Sequence, residues 1–406
     1  MEIFFFLKKN TKLTFLRQNN IHEAILMPTG KGFALRSDLD LRQALLEGYE
    51  RHTHRPYDDD HFKEAVSKRR RGHALPALRI AAITNDSVAT LASLAYSVKS
   101  LPNSRVVMGL IVGAGCNATI PMPLSDLHES KARPIRANDP ESVEVLVNTE
   151  WTLSAASTPL KDLGIATGWD KELESTSDRP GFQPLEYMVG GRYIGELVRL
   201  IIYDYMHTIL RVPRDALPLN LTTPYCLTTD FLSFIVASPS SIETLTSELS
   251  EKLPAPSSSD WRWSPGLAGA LRTIASTVQR RSAALIAAAT VGLLNCTAQI
   301  HLTRPEDLSS GAAGTGAPTS PETENVRSPE ELVVAFSGGV IQHYPKYKEM
   351  VQRYIDRMLL QSGPQDGGKS VFLREASDGG IIGVGVLAGS TFGKIEKIVG
   401  SEMQTA

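Results

Sequence analysis

"IAAITNDSVATLASLAY", residues Ile80 to Tyr96, sets a bare Asn85-Asp86 pair between a short apolar run and a stretch of small and apolar residues. Ile80 to Thr84 has the length and composition of a buried strand, while Val88, Leu91, Ala92, Ala95 and Tyr96 follow the i, i+3, i+4, i+7, i+8 stripe of a helix. Asp86 is therefore expected at a strand-to-helix turn. Two uses of its carboxylate stand side by side. As an N-cap it accepts a backbone N–H and contributes about 1 kcal/mol. As a base it sits at the mouth of a sheet, ready to take a proton from a bound hydroxyl.

The same pattern recurs along the chain. "ALRIAAIT" and "RVVMGLIVGAG" read as short buried strands with polar or glycine-rich exits, and "ELVVAFSGGVI" and "KSVFLREASDGGIIGVGVLAG" read as strands that break into glycines. Pro184 to His207 and Gly269 to Leu294 carry helical periodicity. Strands that end in glycines and lead into helices predict an α/β architecture, in which ligands gather where the strands end.

Composition narrows the partner. The 406 residues are enough for roughly two domains, and 42% hydrophobic content supports a sizeable core. A net charge of -2 gives no electrostatic reason to expect nucleic acid or a membrane surface, so a small molecule is the expected partner. Cys116, Cys226 and Cys296 are odd in number and widely spaced, which suits a reducing compartment, and the cytoplasm is the expectation. "MEIFFFLKK" is too short an apolar run for a signal-peptide core, and Ser282 to Leu294 reads as a buried helix rather than a span. Arg51 to His73 holds several histidines beside aspartates, but their spacing matches no metal site, and a solvated loop and helix face is expected there. Residues 304–330, with "LSSGAAGTGAPTSPETENVRSPE", are too rich in Gly, Pro, Ser and Thr to pack and read as a disordered insertion; Pro254 to Asp260 reads as a shorter linker.

After the Asn85-Asp86 pair come "VVMGLIVGAGCNAT", then "NTEW" at Asn148 to Trp151, then "RPGFQPLEYMVGGRYIGELVRL". This ordered succession resembles the hexokinase family, from near Ile21 almost to the C-terminus. The resemblance implies an actin-like, ribonuclease H-like sugar kinase fold with a nearly complete large domain at 85–390. A partial small domain is implied at 1–84, of which 1–20 is unmatched, and a segment at 391–406 would return toward it. It also implies transfer of the γ-phosphoryl group of Mg-ATP to the 6-hydroxyl of a hexose, glucose or N-acetylglucosamine. By position Asp86 resembles the family's catalytic base. Lys31 in "PTGKGF", Asn85, Asn117, Glu150 and Glu186 resemble its sugar clamp, since amides and carboxylates satisfy hydroxyls that both donate and accept. Each has a plainer use: Asn117 as a turn cap, Glu150 as a rim carboxylate, Glu186 as a partner of Arg192, and "GKGF" as an ordinary glycine turn.

On the nucleotide side the resemblance implies Gly113, Gly115, Thr229, Ser337, Gly338, Gly379 and Gly380, with magnesium carried by ATP and no metal ligand assigned directly. Here the sequence departs from the family. An Asp-Leu-Gly-Gly-Thr-Asn phosphate loop and a Ser-Phe-Pro sugar loop are absent, and the Gly-Thr-Gly turn becomes Gly113-Ala114-Gly115. Asp-Gly becomes Ser337-Gly338, and Gly-Ser-Gly becomes Gly379-Gly380-Ile381. Removing one preorganised donor to a developing charge costs about 3 to 4 kcal/mol of barrier. Two readings follow: an N-terminally incomplete sugar kinase with impaired activity, or a non-catalytic protein that senses sugar. The second gains from departures that lie far from the N-terminus.

Overall fold

The computed structural model describes residues 3–9, 12–16, 40–53, 78, 80–98, 103–153, 156–302 and 330–389. Lys31, the insertion at 304–330 up to its last residue, and the segment 391–406 lie outside the described residues.

One mixed sheet of seven strands organises the chain. In sequence these are β1 (Ile3–Lys9), β2 (Lys12–Leu16), β3 (Ser104–Val112), β4 (Cys116–Pro123), β5 (Glu144–Asn148), β6 (Glu331–Ser337) and β7 (Ser370–Glu375). Their order across the sheet is β2-β1-β5-β4-β3-β6-β7. β4 runs antiparallel to both of its neighbours, β3 and β5, whereas β6 and β7 continue parallel from β3. The β1-β2 hairpin extends the β5 edge, with Ile3 opposite Val147.

The strands bury both faces, and β6 reads this out residue by residue. Leu332, Val334 and Phe336 join the large core beneath helices α3 (Gly191–Asp204) and α4 (Pro265–Cys296), while Val333 and Ala335 join Leu94 and Val98 on the other face. That is the period of two expected of a strand covered on both sides. β3 breaks the alternation, because Val107 and Met108 both enter the large core. A shift of its register against β6 between Val106 and Met108 accounts for this, as an extra residue in a strand turns its neighbours over. Helix α2 (Asp86–Val98) covers the second face, and α5 (Tyr347–Gln361) makes the crossover from β6 to β7. α1 (Leu41–Thr53) precedes them. An α/β fold was expected, and the chain forms one around a mixed sheet.

Two local expectations, for Ile80 to Thr84 and for Pro254 to Asp260, need correction. Ile80 to Thr84 form no strand: they run irregular and half-buried into α2. An apolar run becomes a strand only where another strand takes its N–H and C=O groups, and none of the seven pairs with it. The glycines after β7 lead into a helix, as expected of a strand that ends in glycines, and residues 379–389 make up α6. Pro254 to Asp260 is irregular but held, with the buried Ser259 hydroxyl donating to the Ala216 carbonyl at 2.9 Å.

α6 lies tightly on α2. A Cβ at Gly383 would overlap the carbonyl oxygen of Ala89, and one at Gly379 would stand 3.4 Å from the Thr90 Cα. Glycines four apart thus let two helix backbones meet.

Candidate active site

Asn85 and Asp86 divide the start of α2 between them. The Asn85 carbonyl accepts the N–H of Ala89 at 3.0 Å, and its side-chain oxygen accepts the Ser87 N–H at 2.9 Å and the Ser87 hydroxyl at 2.6 Å. Asn85 is therefore the N-cap, and the expected capping by Asp86 is corrected. A cap must stand just outside the helix while its carbonyl accepts the first helical bond, and Asp86 is already helical. Its carboxylate is exposed and reaches the Ser87 N–H at 2.9 Å. Negative charge in the first turn is worth about 0.3–1 kcal/mol.

Ser87 carries the connection inward. Its buried hydroxyl lies 2.6 Å from that of Thr119 on β4. Thr119 and Asn117 are two apart on the strand and so share a face. The start of α2 is thereby tied to the Asn117 side of the sheet.

There a closed polar cluster stands at the ends of β4 and β5. The Asn117 amide donates to the Asn148 side-chain oxygen at 2.7 Å and to Glu150 Oε1 at 2.9 Å; Asn148 donates to the same Oε1 at 2.9 Å. Asn117 Oδ1 accepts from the backbone N–H groups of Ala118 at 2.8 Å and Glu150 at 3.2 Å. Glu150 has φ +44°, a left-handed conformation uncommon for its type. Asn148 was not among the residues singled out from sequence. The signal was present: in a strand end reading Asn148-x-Glu150, alternate residues face the same way.

Glu186 approaches from another element. Its one-turn helix, Glu186–Val189, places a carboxylate only 2% exposed where Oε2 accepts the Cys116 N–H at 3.2 Å. Cys116 adjoins Asn117, and its sulfur accepts from Trp151 Nε1 at 3.3 Å, which ties in the residue after Glu150. Burial, and then the charge of Glu186, holds the Tyr193 phenol well above its usual range. Arg192 is committed elsewhere, over the Tyr225 ring at 5.0 Å. Asn85, Asn117, Glu150 and Glu186 thus converge on one end of the sheet, linked through Ser87, Thr119, Asn148 and Cys116.

Several of the residues expected to meet a nucleotide hold internal bonds. The Gly113 and Ala114 carbonyls accept the N–H groups of Gly191 and Arg192 at 2.7 and 3.1 Å, and the Gly113 N–H donates to Gly115. The Thr229 hydroxyl donates to the Gly191 carbonyl at 2.5 Å and accepts the Gly195 N–H at 2.9 Å. Gly338 follows Ser337 at φ +121°, and a Cβ there would meet the Val112 carbonyl at 2.5 Å, so close backbone packing already requires this glycine. Its N–H donates to Gln342 Oε1 at 3.0 Å, and the Gln342 amide donates to the Glu375 carboxylate at 2.9 Å. Gly379 and Gly380 lie in the first turn of α6. To bond a phosphate, the Gly113 and Gly338 N–H groups and the Thr229 hydroxyl would each exchange an internal bond. Among the described residues no group of three or more His, Cys, Asp or Glu could hold a metal ion, and no helix is long and apolar enough to cross a membrane.

Comparison with known proteins matches this arrangement to one family. Two family models, both described as hexokinase, match residues 107–390 and 14–96. Hexokinase-1 of Spinacia oleracea is 27% identical over 315 residues, which are 77% of this chain and 54% of that protein. Hexokinase-2, chloroplastic, of Nicotiana tabacum is 27% identical over 312 residues, again 77% of this chain and 53% of the relative. The chain thus spans about half the length of the curated relatives it matches. A hexokinase from Schistosoma mansoni complexed with glucose shares the fold at TM-score 0.62 and 23% identity, covering 92% of this chain and 67% of that one. With a family model covering more than half of its length, the chain belongs to the hexokinase family.

Proposed function

We propose that the chain binds a hexose at the ends of β4 and β5 and catalyses, at a reduced rate, the family's transfer of a phosphoryl group from Mg-ATP to the sugar 6-hydroxyl. The observation that carries this reading is the hydrogen-bonded cluster of Asn117, Asn148 and Glu150, tied through Thr119 and Ser87 to the helix start that bears the exposed carboxylate of Asp86. Asn85, Asn117, Glu150 and Glu186, with Lys31 on the small-domain side of a division near residue 84, would hold sugar hydroxyls. Oriented carboxylates and amides match hydroxyl donors and acceptors and discriminate against sugars that leave them unpaired. Asp86 would take the proton of the attacking hydroxyl, a contribution of about 100- to 10,000-fold.

A reduced rate follows from the engaged nucleotide-side groups. They also favour a second reading, a sugar-binding protein without turnover, because a phosphate would have to displace internal bonds before it gained any. A coupled assay of the purified chain with Mg-ATP and glucose, mannose or N-acetylglucosamine separates the two. Turnover that Asp86→Ala abolishes supports the kinase; sugar binding by calorimetry with no turnover supports the sensor; absence of both overturns the site. The cytoplasm is proposed as the compartment on the odd, widely spaced cysteines.

A further inference from the structure

Asn117, Asn148 and Glu150 do not have equal freedom to meet a ligand. An amide side chain has two N–H donors and an oxygen that accepts twice. Asn117 has filled all four: its donors go to Asn148 and Glu150, and its oxygen takes the N–H groups of Ala118 and Glu150. A sugar hydroxyl that meets it takes the place of one of these bonds. Asn148 is 1% exposed and lies behind the other two. Glu150 is half-buried, and both amides converge on its Oε1; among the described residues no hydrogen bond is made to its Oε2.

Glu150 also carries the unusual backbone. A left-handed conformation in a residue other than glycine persists where its surroundings hold it. The Asn117 oxygen on the Glu150 N–H, and two amides on its carboxylate, do the holding.

Resting on the sugar-binding reading above, we propose that Asn148 is a positioning residue. Through its paired bonds to Asn117 and Glu150 it fixes the Glu150 carboxylate so that Oε2 faces a hexose hydroxyl. Glu150 turns Oε2 to the sugar, and the buried Asn148 supports it. A buried asparagine that merely completed the end of β5 would affect folding alone, whereas a support of this kind sets how the carboxylate meets its ligand.

The substitution Asn148→Asp tests this with almost no change of shape. It retains the acceptor for Asn117 but sets a second carboxylate against Glu150 Oε1. Two adjoining carboxylates ionise together only at a cost, so one holds a proton well above its usual range. Glucose affinity, followed by calorimetry from about pH 5 to pH 8, should be about 10- to 100-fold weaker than wild type at the alkaline end. It should recover in acid, where the shared proton rebuilds the bond, while the wild-type affinity changes far less. A variant whose affinity tracks wild type at every pH, whatever its melting temperature, overturns the proposal. If Asn148→Asp does not fold, Asn148→Ser, too short to reach both partners, must weaken glucose binding by a similar factor; unchanged binding overturns the proposal. Wild-type protein that binds no glucose overturns this proposal and the sugar-binding reading together, whereas binding with no effect at Asn148 removes this proposal alone.

Discussion

Replacing Asn85 and Asp86 one at a time should separate folding from chemistry at adjacent residues. Asn85→Ala removes an acceptor of the Ser87 N–H and hydroxyl, at 2.9 and 2.6 Å, and leaves the first turn of α2 uncapped. Loss of such a cap costs about 1 kcal/mol, and up to about 2 kcal/mol where the helix start is well packed. Ser87 is fully buried and bonded to Thr119, which places the cost at the upper end. Asp86→Ala removes one bond to the Ser87 N–H, which Asn85 still accepts, together with a charge at an exposed first-turn position. Its cost should be about 0.3–1 kcal/mol. For a protein of this size the two melting midpoints should fall by about 2–3 °C and about 1 °C, in that order. Turnover should show the reverse ranking. Asp86→Ala should lose about 100- to 10,000-fold in kcat if it removes a base, while Asn85→Ala keeps the carboxylate and loses mainly sugar affinity. Scanning calorimetry and the coupled assay on the same preparations report both. If Asp86→Ala melts lower than Asn85→Ala, or turns over as wild type does, Asp86 is a structural residue and the assignment of the base fails.

Other parts of the chain give equally direct tests. Asp170 is pushed up by burial, but hydrogen bonds and charge from Arg281 at 2.7 Å, with Thr167, bring its carboxyl to a net position below the ordinary carboxylate range. Its ion pair therefore stabilises the fold fully above the unfolded pKa of about 3.9, and this is lost as pH falls through the lower folded value. Arg281→Met should cost about 2–3 kcal/mol at pH 7 by urea titration, with the gap to wild type closing below about pH 4. Gly383→Ala should lower stability by about 1–3 kcal/mol because α6 must back away from Ala89; Gly292→Ala, with nothing within 4 Å of the new methyl, is the control and should be neutral or stabilising. Glu375→Gln removes a carboxylate from the chain of bonds that occupies the Gly338 N–H, and should tighten binding of an ATP analogue several-fold by calorimetry; unchanged binding would mean that phosphate does not approach Gly338.

What was legible in the sequence follows the range of the forces involved. β3, β6 and α4 stand where periodicity put them, because their burial is dense enough for local pattern to decide. Ile80 to Thr84 has the same apolar character, but a strand is a relation between two segments, and its partner cannot be read from the run itself. Gly379 and Gly383 read as interruptions and prove to be the contact surface of a helix, since their cost in α6 is offset by an approach to α2 that only small residues permit. Asn85, Asn117, Glu150 and Glu186 stand out in the sequence as an ordered series, and the fold brings them to one end of the sheet. Asn148 was marked only by its spacing from Glu150, because its other partner, Asn117, lies on a different strand.

The sugar side and the nucleotide side differ in more than their motifs. On the proposed sugar-binding reading, the internal bonds at the ends of β4 and β5 converge on one oxygen of Glu150 and leave the other for a ligand, so binding at that oxygen adds bonds without breaking any. At the Gly113, Thr229 and Gly338 exits the internal bonds close on themselves, and the Gln342 relay ends on the carboxylate of Glu375. A phosphate arriving there exchanges existing bonds for new ones near a negative charge, which yields little net free energy even when each new bond is good. A cleft with one preorganised half should bind sugar about as well in the absence of nucleotide as in its presence. Glucose titrations with and without a nonhydrolysable ATP analogue test this: a coupling of tenfold or more between the ligands would show that the nucleotide side rearranges into a competent site, and the asymmetry drawn from the exits would then be a property of the sugar-free state alone.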